Sequence, residues 1–186
     1  MLPEVLEAML PWLRDGHANP SGAYQSAARA REAIEEARVK VADWIGAEAD
    51  EIVFTSGGTE SVNTALHSMD RLVGAGTAVV SAIEHSAVLR AADDLSRPVK
   101  HAPVHADGRL DLGKYEALLS GAAMVSIMAA NNETGVIQPL HEAAAMARER
   151  GIPIHSDAVQ FAGKANINVR HLGVDFLSLS AHKFHG

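Results

Sequence analysis

Cysteine is absent from the 186 residues, which excludes disulfides, thiolate metal sites and any cysteine nucleophile carried by this chain. No apolar run reaches the roughly 20 residues that a membrane span requires. The opening MLPEVLEAML carries acids and no basic leader, so a soluble, cytoplasmic protein is the expectation. Basic clusters are missing too, and the net charge is -7; neither nucleic acid nor an anionic membrane is an expected partner. There is no internal repeat, low-complexity tract or linker.

What is there suffices for a core. Apolar residues make up 47% of the chain, and its length suits a single α/β domain. Val5, Leu6, Met9, Leu10, Trp12 and Leu13 recur at helical spacing over Pro3 to Arg14, predicting an amphipathic helix interrupted or bent at Pro11. A turn-rich loop spans Gly16 to Gly22, and an Ala-, Glu- and Arg-rich helix runs from Ala27 to Gly46. Beyond it the pattern alternates. Strands are predicted at Glu51–Ser56, Ala78–Ile83, Val99–Val104, Ala123–Ala129, Pro153–Asp157 and Phe176–Ser180. Helices are predicted at Thr59–Leu72, Ser86–Leu95, Leu112–Leu119 and Leu140–Arg150. Strands separated by helices imply a mainly parallel sheet flanked by helices. Ligands of such sheets sit beyond the carboxyl ends of the strands, so the residues just after each strand carry the information.

Five strand ends do. Phe54-Thr-Ser-Gly-Gly-Thr-Glu-Ser61 places two glycines and hydroxyls at a helix start, either an anion cradle or ordinary capping by Ser56 or Thr59; it lacks the Lys of a Walker loop. His85, after Ile83-Glu84, suits a cap or a ring stacked on a flat ligand. Asn131-Asn132-Glu133-Thr134-Gly135 could close a turn or present amides to a ligand. Asp157 leaves a buried strand and needs a cationic partner. Lys183 ends Ser180-Ala-His-Lys, where the ordinary reading is a solvated lysine at a loop mouth. An anion cradle, a flat stacking group, amides, an isolated carboxylate and one amine together suit a phosphorylated aromatic cation bearing an aldehyde, which is pyridoxal 5'-phosphate.

These motifs, with Asp157-Ala-Val-Gln160, resemble the cysteine desulfurases of the NifS/IscS type in the class V aminotransferase superfamily. The resemblance runs in order from about Asn19 to the last residue. It implies the large cofactor-binding domain of a fold type I pyridoxal phosphate enzyme, with residues 1–186 forming part of that domain and the small C-terminal domain absent. It implies that Lys183 forms the Schiff base and transfers protons, that Asp157 pairs with the pyridinium, and that His85 stacks on the ring and shuttles a proton. Gln160 would bond the phenolic oxygen and Asn132 that oxygen or the substrate carboxylate, while Gly58, Thr59, Ser180 and His182 hold the phosphate. In this family L-cysteine gives L-alanine, and sulfur passes through an enzyme cysteine to an acceptor such as an iron-sulfur scaffold; the full-length enzymes are homodimers. Without a cysteine, this chain would be a fragment that cannot complete the persulfide step.

Other readings change the chemistry or remove it. Selenocysteine lyase, kynureninase or aminotransferase would share fold and cofactor, and a non-catalytic scaffold would keep only the surface. A metal site at His155 and Asp157, two apart on one strand, with His182 and His185 nearby, matches no zinc signature and leaves Lys183 without a role. No metal is therefore expected.

Overall fold

The computed structural model describes residues 1–186. Five parallel strands form one sheet in the order β2-β1-β3-β4-β5. They are β1 (Thr77–Ser81), β2 (Val99–Ala102), β3 (Ala122–Ser126), β4 (Ile154–Asp157) and β5 (Phe176–Ser178). Seven helices accompany them: α1 (Pro3–Arg14), α2 (Gln25–Ile45), α3 (Gly58–Leu72), α4 (Ser86–Asp93), α5 (Leu112–Leu118), α6 (Leu140–Arg148) and α7 (Val169–Leu172).

The period-two alternation of the strands divides the core between the two faces of the sheet. Ala78, Val80 and Met124 point to the side covered by Val62, Leu66 and Met69 of α3 and by Val88, Ala91 and Ala92 of α4. Val79, Val125 and Ile154 point the other way, to Tyr115 of α5 and to Leu140, Ala143, Ala144 and Ala147 of α6. The alanines of α6 let its axis come close to the sheet. Tyr115 is fully buried and spends its hydroxyl on the Ala143 carbonyl at 3.0 Å.

Chain order and sheet order diverge at β1. Its successor β2 pairs on one side and β3 on the other, so the crossover from β1 to β2 and the return crossover from β2 to β3 run in opposite directions along the sheet. The ends of β1 and β3 therefore open a crevice at the topological switch, where parallel sheets bind ligands.

Three expectations need correcting. Glu51–Ser56 is not a strand: a 3-10 turn occupies Ala49–Glu51 and the chain then runs extended without a ladder partner. Its β-type alternation meets no neighbouring strand, so Val53 and Phe54 stay exposed. The Arg38 guanidinium instead covers the Phe54 ring and donates to the Ile52 carbonyl. Of the two outcomes expected near Pro11, interruption does not occur, since α1 runs through it to Arg14. Neither Ser56 nor Thr59 caps α3, because Gly57 holds the cap position and no side chain caps it. The short helix α7 was not foreseen; it is one turn long, capped by the Asn168 side chain and ended by Gly173.

A row of polar groups threads the middle of the sheet. Ser126 of β3, His155 of β4 and Ser178 of β5 are all buried. His155 bonds the Ser126 hydroxyl through Nδ1 at 2.9 Å and the Ser178 hydroxyl through Nε2 at 3.0 Å. Ser178 in turn accepts from the Ser61 hydroxyl of α3 at 2.9 Å. If Ser178 passes its own proton to Nε2, the ring is a neutral Nδ1–H tautomer that donates to Ser126. Burial lowers the His155 pKa to about 3.

Two predictions follow from these contacts. The unfolded ring binds a proton near pH 6.5 and the folded one only near 3, so the stability that the neutral ring secures is complete above 6.5 and declines as pH falls toward 3. His155→Gln, neutral throughout, should flatten the rise of unfolding free energy with pH by up to about 1.4 kcal/mol per pH unit between pH 4 and 6, measured by urea unfolding. Gly76 enters β1 at φ +150°, where an added Cβ would lie 2.8 Å from Ala123 Cβ and 2.9 Å from the Gly121 carbonyl. Gly76→Ala should cost about 1–3 kcal/mol of stability, read from the same unfolding curves.

Candidate functional site

The residue set predicted from the strand ends surrounds one cavity of about 210 Å³: Gly58, Thr59, His85, Asn132, Asp157, Gln160, Ser180, His182 and Lys183 all line it. They come from segments far apart in the sequence. The switch between β1 and β3 brings His85 and Asn132 together, and the pairing of β4 with β5 brings Asp157 beside the turn that carries Lys183.

At one end lies the start of α3. Ser61 is the first residue of this turn whose N–H returns to a carbonyl, that of Gly57. The N–H groups of Gly58, Thr59 and Glu60 find no acceptor in the chain, and they carry the positive end of the helix dipole. The Glu60 side chain does not fill the gap. It folds back to accept from the Ser56 N–H at 2.6 Å, and these Ser56 hydrogen bonds hold its carboxyl below the usual range. Gly58 packs where a Cβ would sit 3.2 Å from Val159 Cγ2 and 3.5 Å from Ser180 Cβ. A side chain there would crowd the Val159 methyl and touch Ser180, so α3 starts in close contact with the turns after β4 and β5. Ser180 Oγ and His182 Nδ1 are bonded to each other at 2.9 Å on the same wall.

Asp157 is 6% exposed and ends β4. Its Oδ1 accepts from the Val159 N–H at 3.0 Å, the single hydrogen bond that the chain supplies to the carboxylate. Burial pushes its pKa up, opposed by that N–H and by the nearby His85 ring. A carboxylate so placed calls for a cationic donor from within the cavity.

His85 does two jobs. Its Nδ1 accepts from the Ala87 N–H at 3.2 Å and so caps α4, which leaves Nε2 as the N–H donor. His85 also lines the cavity, so the capping reading holds and the residue borders the cavity as well. The two asparagines after β3 divide the work. Asn131 is the turn-former: its Oδ1 accepts from the Glu133 and Thr134 N–H groups at 3.0 and 2.9 Å, and its Nδ2 donates to the Ile83 carbonyl at 2.9 Å. This last bond ties the loop bearing Asn132 to the loop bearing His85.

Sequence reasoning gave no role to Glu84, although it precedes His85. Its carboxyl is buried, accepts from the Met128 N–H through Oε1 and has no hydrogen-bond partner at Oε2. Burial pushes its pKa well up, the Met128 N–H opposes this, and the charge of Asp157 adds to it. Two neighbouring buried carboxyls disfavour ionising together, and the deeper burial of Glu84 favours its neutral form. The apolar walls, Val62, Met128, Ala130 and Val159, were invisible as site residues because nothing distinguishes them from core. The metal reading loses its ligand: both ring nitrogens of His155 are committed to serine hydroxyls.

The donor set fits a phosphorylated aromatic cation: free N–H groups for an anion at one end, a buried carboxylate for a ring N–H, and a primary amine from Lys183 for a carbonyl. The family model described as aminotransferase class-V matches residues 1–186. A cysteine desulfurase of Cereibacter sphaeroides is 46% identical over 193 residues, covering 100% of this chain and 50% of that protein. One from Sinorhizobium fredii is 47% identical over 190 residues, covering 98% of this chain and 49% of that protein. Among solved structures, a NifS-like protein superposes with a TM-score of 0.96 at 38% identity, covering 100% of this chain and 53% of that one. SspA in complex with cysteine does so with a TM-score of 0.93 at 37% identity, covering 100% and 55%. The chain spans about half the length of the curated relatives it matches. Sequence, sheet and cavity agree over the whole of this stretch, and the chain belongs to the class-V aminotransferase family.

Proposed function

We propose that this chain forms the pyridoxal phosphate cavity of a cysteine desulfurase, acting on L-cysteine to give L-alanine and transferable sulfur. The observation that carries the reading is the meeting of Asp157, Lys183 and the unpaired N–H groups of α3 around one cavity. The names of the relatives support the substrate.

When bound, pyridoxal phosphate supplies an electron-withdrawing ring conjugated to the nitrogen of the amino acid. Asp157 keeps the ring nitrogen protonated, which preserves that withdrawal; the charge-assisted bond is worth about 1.5–3 kcal/mol. Gly58, Thr59, Ser180 and His182 hold the phosphate, with the α3 dipole favouring its charge. His85 would stack on the ring, with its Nε2–H available for proton exchange. Gln160 meets the phenolic oxygen, and Asn132 that oxygen or the substrate carboxylate. Lys183 would hold the cofactor through its amine, and the same amine would serve as the group that takes or gives the proton at the substrate Cα. The sulfur needs a thiol acceptor from outside these 186 residues, which contain no cysteine. A partner protein that builds iron-sulfur clusters, and pairing of two copies, fit this reading.

Two experiments test it. Adding pyridoxal phosphate to the chain should produce an absorption band at the edge of the visible that Lys183→Ala abolishes. If no such band forms, or if it survives the substitution, the reading fails. Asp157→Asn should weaken cofactor affinity by about tenfold or more, yet raise thermal stability of the cofactor-free chain at pH 7. The sign follows from linkage. The folded pKa lies above the unfolded 3.8, so the favourable neutral state is complete below 3.8 and its benefit is lost as pH rises through the folded value. Calorimetry at pH 7 reads the change.

A further inference from the structure

Gln160 follows β4 and is one of the residues that line the cavity. Four residues on, the exposed Lys164 donates from Nζ to Gln160 Oε1 at 2.8 Å and to the Gln160 backbone carbonyl at 3.1 Å. A glutamine amide has a donor end and an acceptor end, and nothing in an isolated side chain decides which one faces a ligand. An ammonium has donors only, so the amide can meet it only through oxygen. With Oε1 held by Lys164, Nε2 is left with its two N–H groups and no acceptor in the chain.

We propose that Lys164 is a positioning residue that locks the Gln160 amide, so that the cavity receives an N–H donor and thereby selects an anionic ligand oxygen at that point. The inference rests on the pyridoxal phosphate reading, in which that oxygen is the phenolic oxygen of the ring. A donor there favours the ionised phenolate over the neutral phenol. The lysine itself stays in solvent and touches neither ring nor substrate; it acts through the amide. Its removal lets Gln160 rotate, and a carboxylate in its place captures Nε2 and turns Oε1 to the ligand, where two oxygens repel.

The test is a binding ratio, with no turnover involved. The chain is titrated with pyridoxal 5'-phosphate and with 3-deoxypyridoxal 5'-phosphate, which lacks the oxygen, and both affinities are read by absorbance. The wild-type chain and Lys164→Arg should prefer the natural compound by about tenfold. Lys164→Met should lower this preference by about threefold, and Lys164→Glu should abolish or reverse it. The same substitutions made beside Gln160→Leu should leave the ratio unmoved, because no amide remains to orient. An unchanged ratio in Lys164→Glu would overturn the proposal. So would a change of equal size beside Gln160→Leu, which would mean that the lysine charge acts directly through space. Failure of the wild-type chain to give a Lys183-dependent band would instead remove the cofactor reading and this proposal with it. Lys164 lies on the surface, so its variants retain the folded core against which the ratio is measured.

Discussion

The carboxylate of Asp157 is the constraint around which the site is arranged. It stands at the end of a strand buried on both faces, and the fold gives it one N–H and no cation. A charge so placed is tolerable only if something else in the cavity bears a proton or a positive charge for it. Glu84, its carboxyl neighbour, is pushed toward the neutral form, so the cavity holds one carboxylate in preference to two. The unpaired N–H groups of α3 make the complementary demand at the other end, for negative charge. A ligand positive at one end and negative at the other answers both, which explains why a sheet of ordinary composition leaves these two ends unsatisfied.

The sheet holds these ends at fixed separation. His155, two residues before Asp157 on β4, is bonded on both sides, and Ser178 extends the row to Ser61 in the first turns of α3. Sliding β4 by one residue relative to its neighbours would break both histidine bonds and move Asp157 off its face. A similar bolt, from Asn131 to the Ile83 carbonyl, joins the two loops at the switch between β1 and β3. Both sets of polar contacts are internal to the scaffold, and each fixes a group that faces the cavity.

Most of this was legible in the residues. Alternation and length placed β1, β3 and β4 and helices α3 to α6 within a few residues, because each buries an apolar face in the core; α2 was found from its helix-forming composition and its closing glycine, since its middle is exposed. Glu51–Ser56 misled because alternation reports a capacity to pair, and no strand lies beside it here. The capping of α3 misled because hydroxyls near a helix start usually cap it, whereas here a glycine occupies that position and leaves the N–H groups free. At the strand ends, residue type alone picked out the groups that face the cavity. It could not reveal that Asn131 is spent on the turn while Asn132 faces inward, nor that His85 is both cap and wall. The partner of Gln160 also lay hidden, since one exposed lysine among many has no signature until its geometry is known.

The burial of Glu84 and His155 has an effect that reaches the outside of the molecule. A net charge of -7 counts every acidic side chain as ionised. Folding favours the neutral form of Glu84, while burial strips from His155 the proton that its unfolded ring carries below pH 6.5, so in mildly acidic solution the two sites move the native charge in opposite directions. Electrophoretic mobility and ion-exchange retention then depend on conformation as well as on composition, with these two buried sites opposing each other.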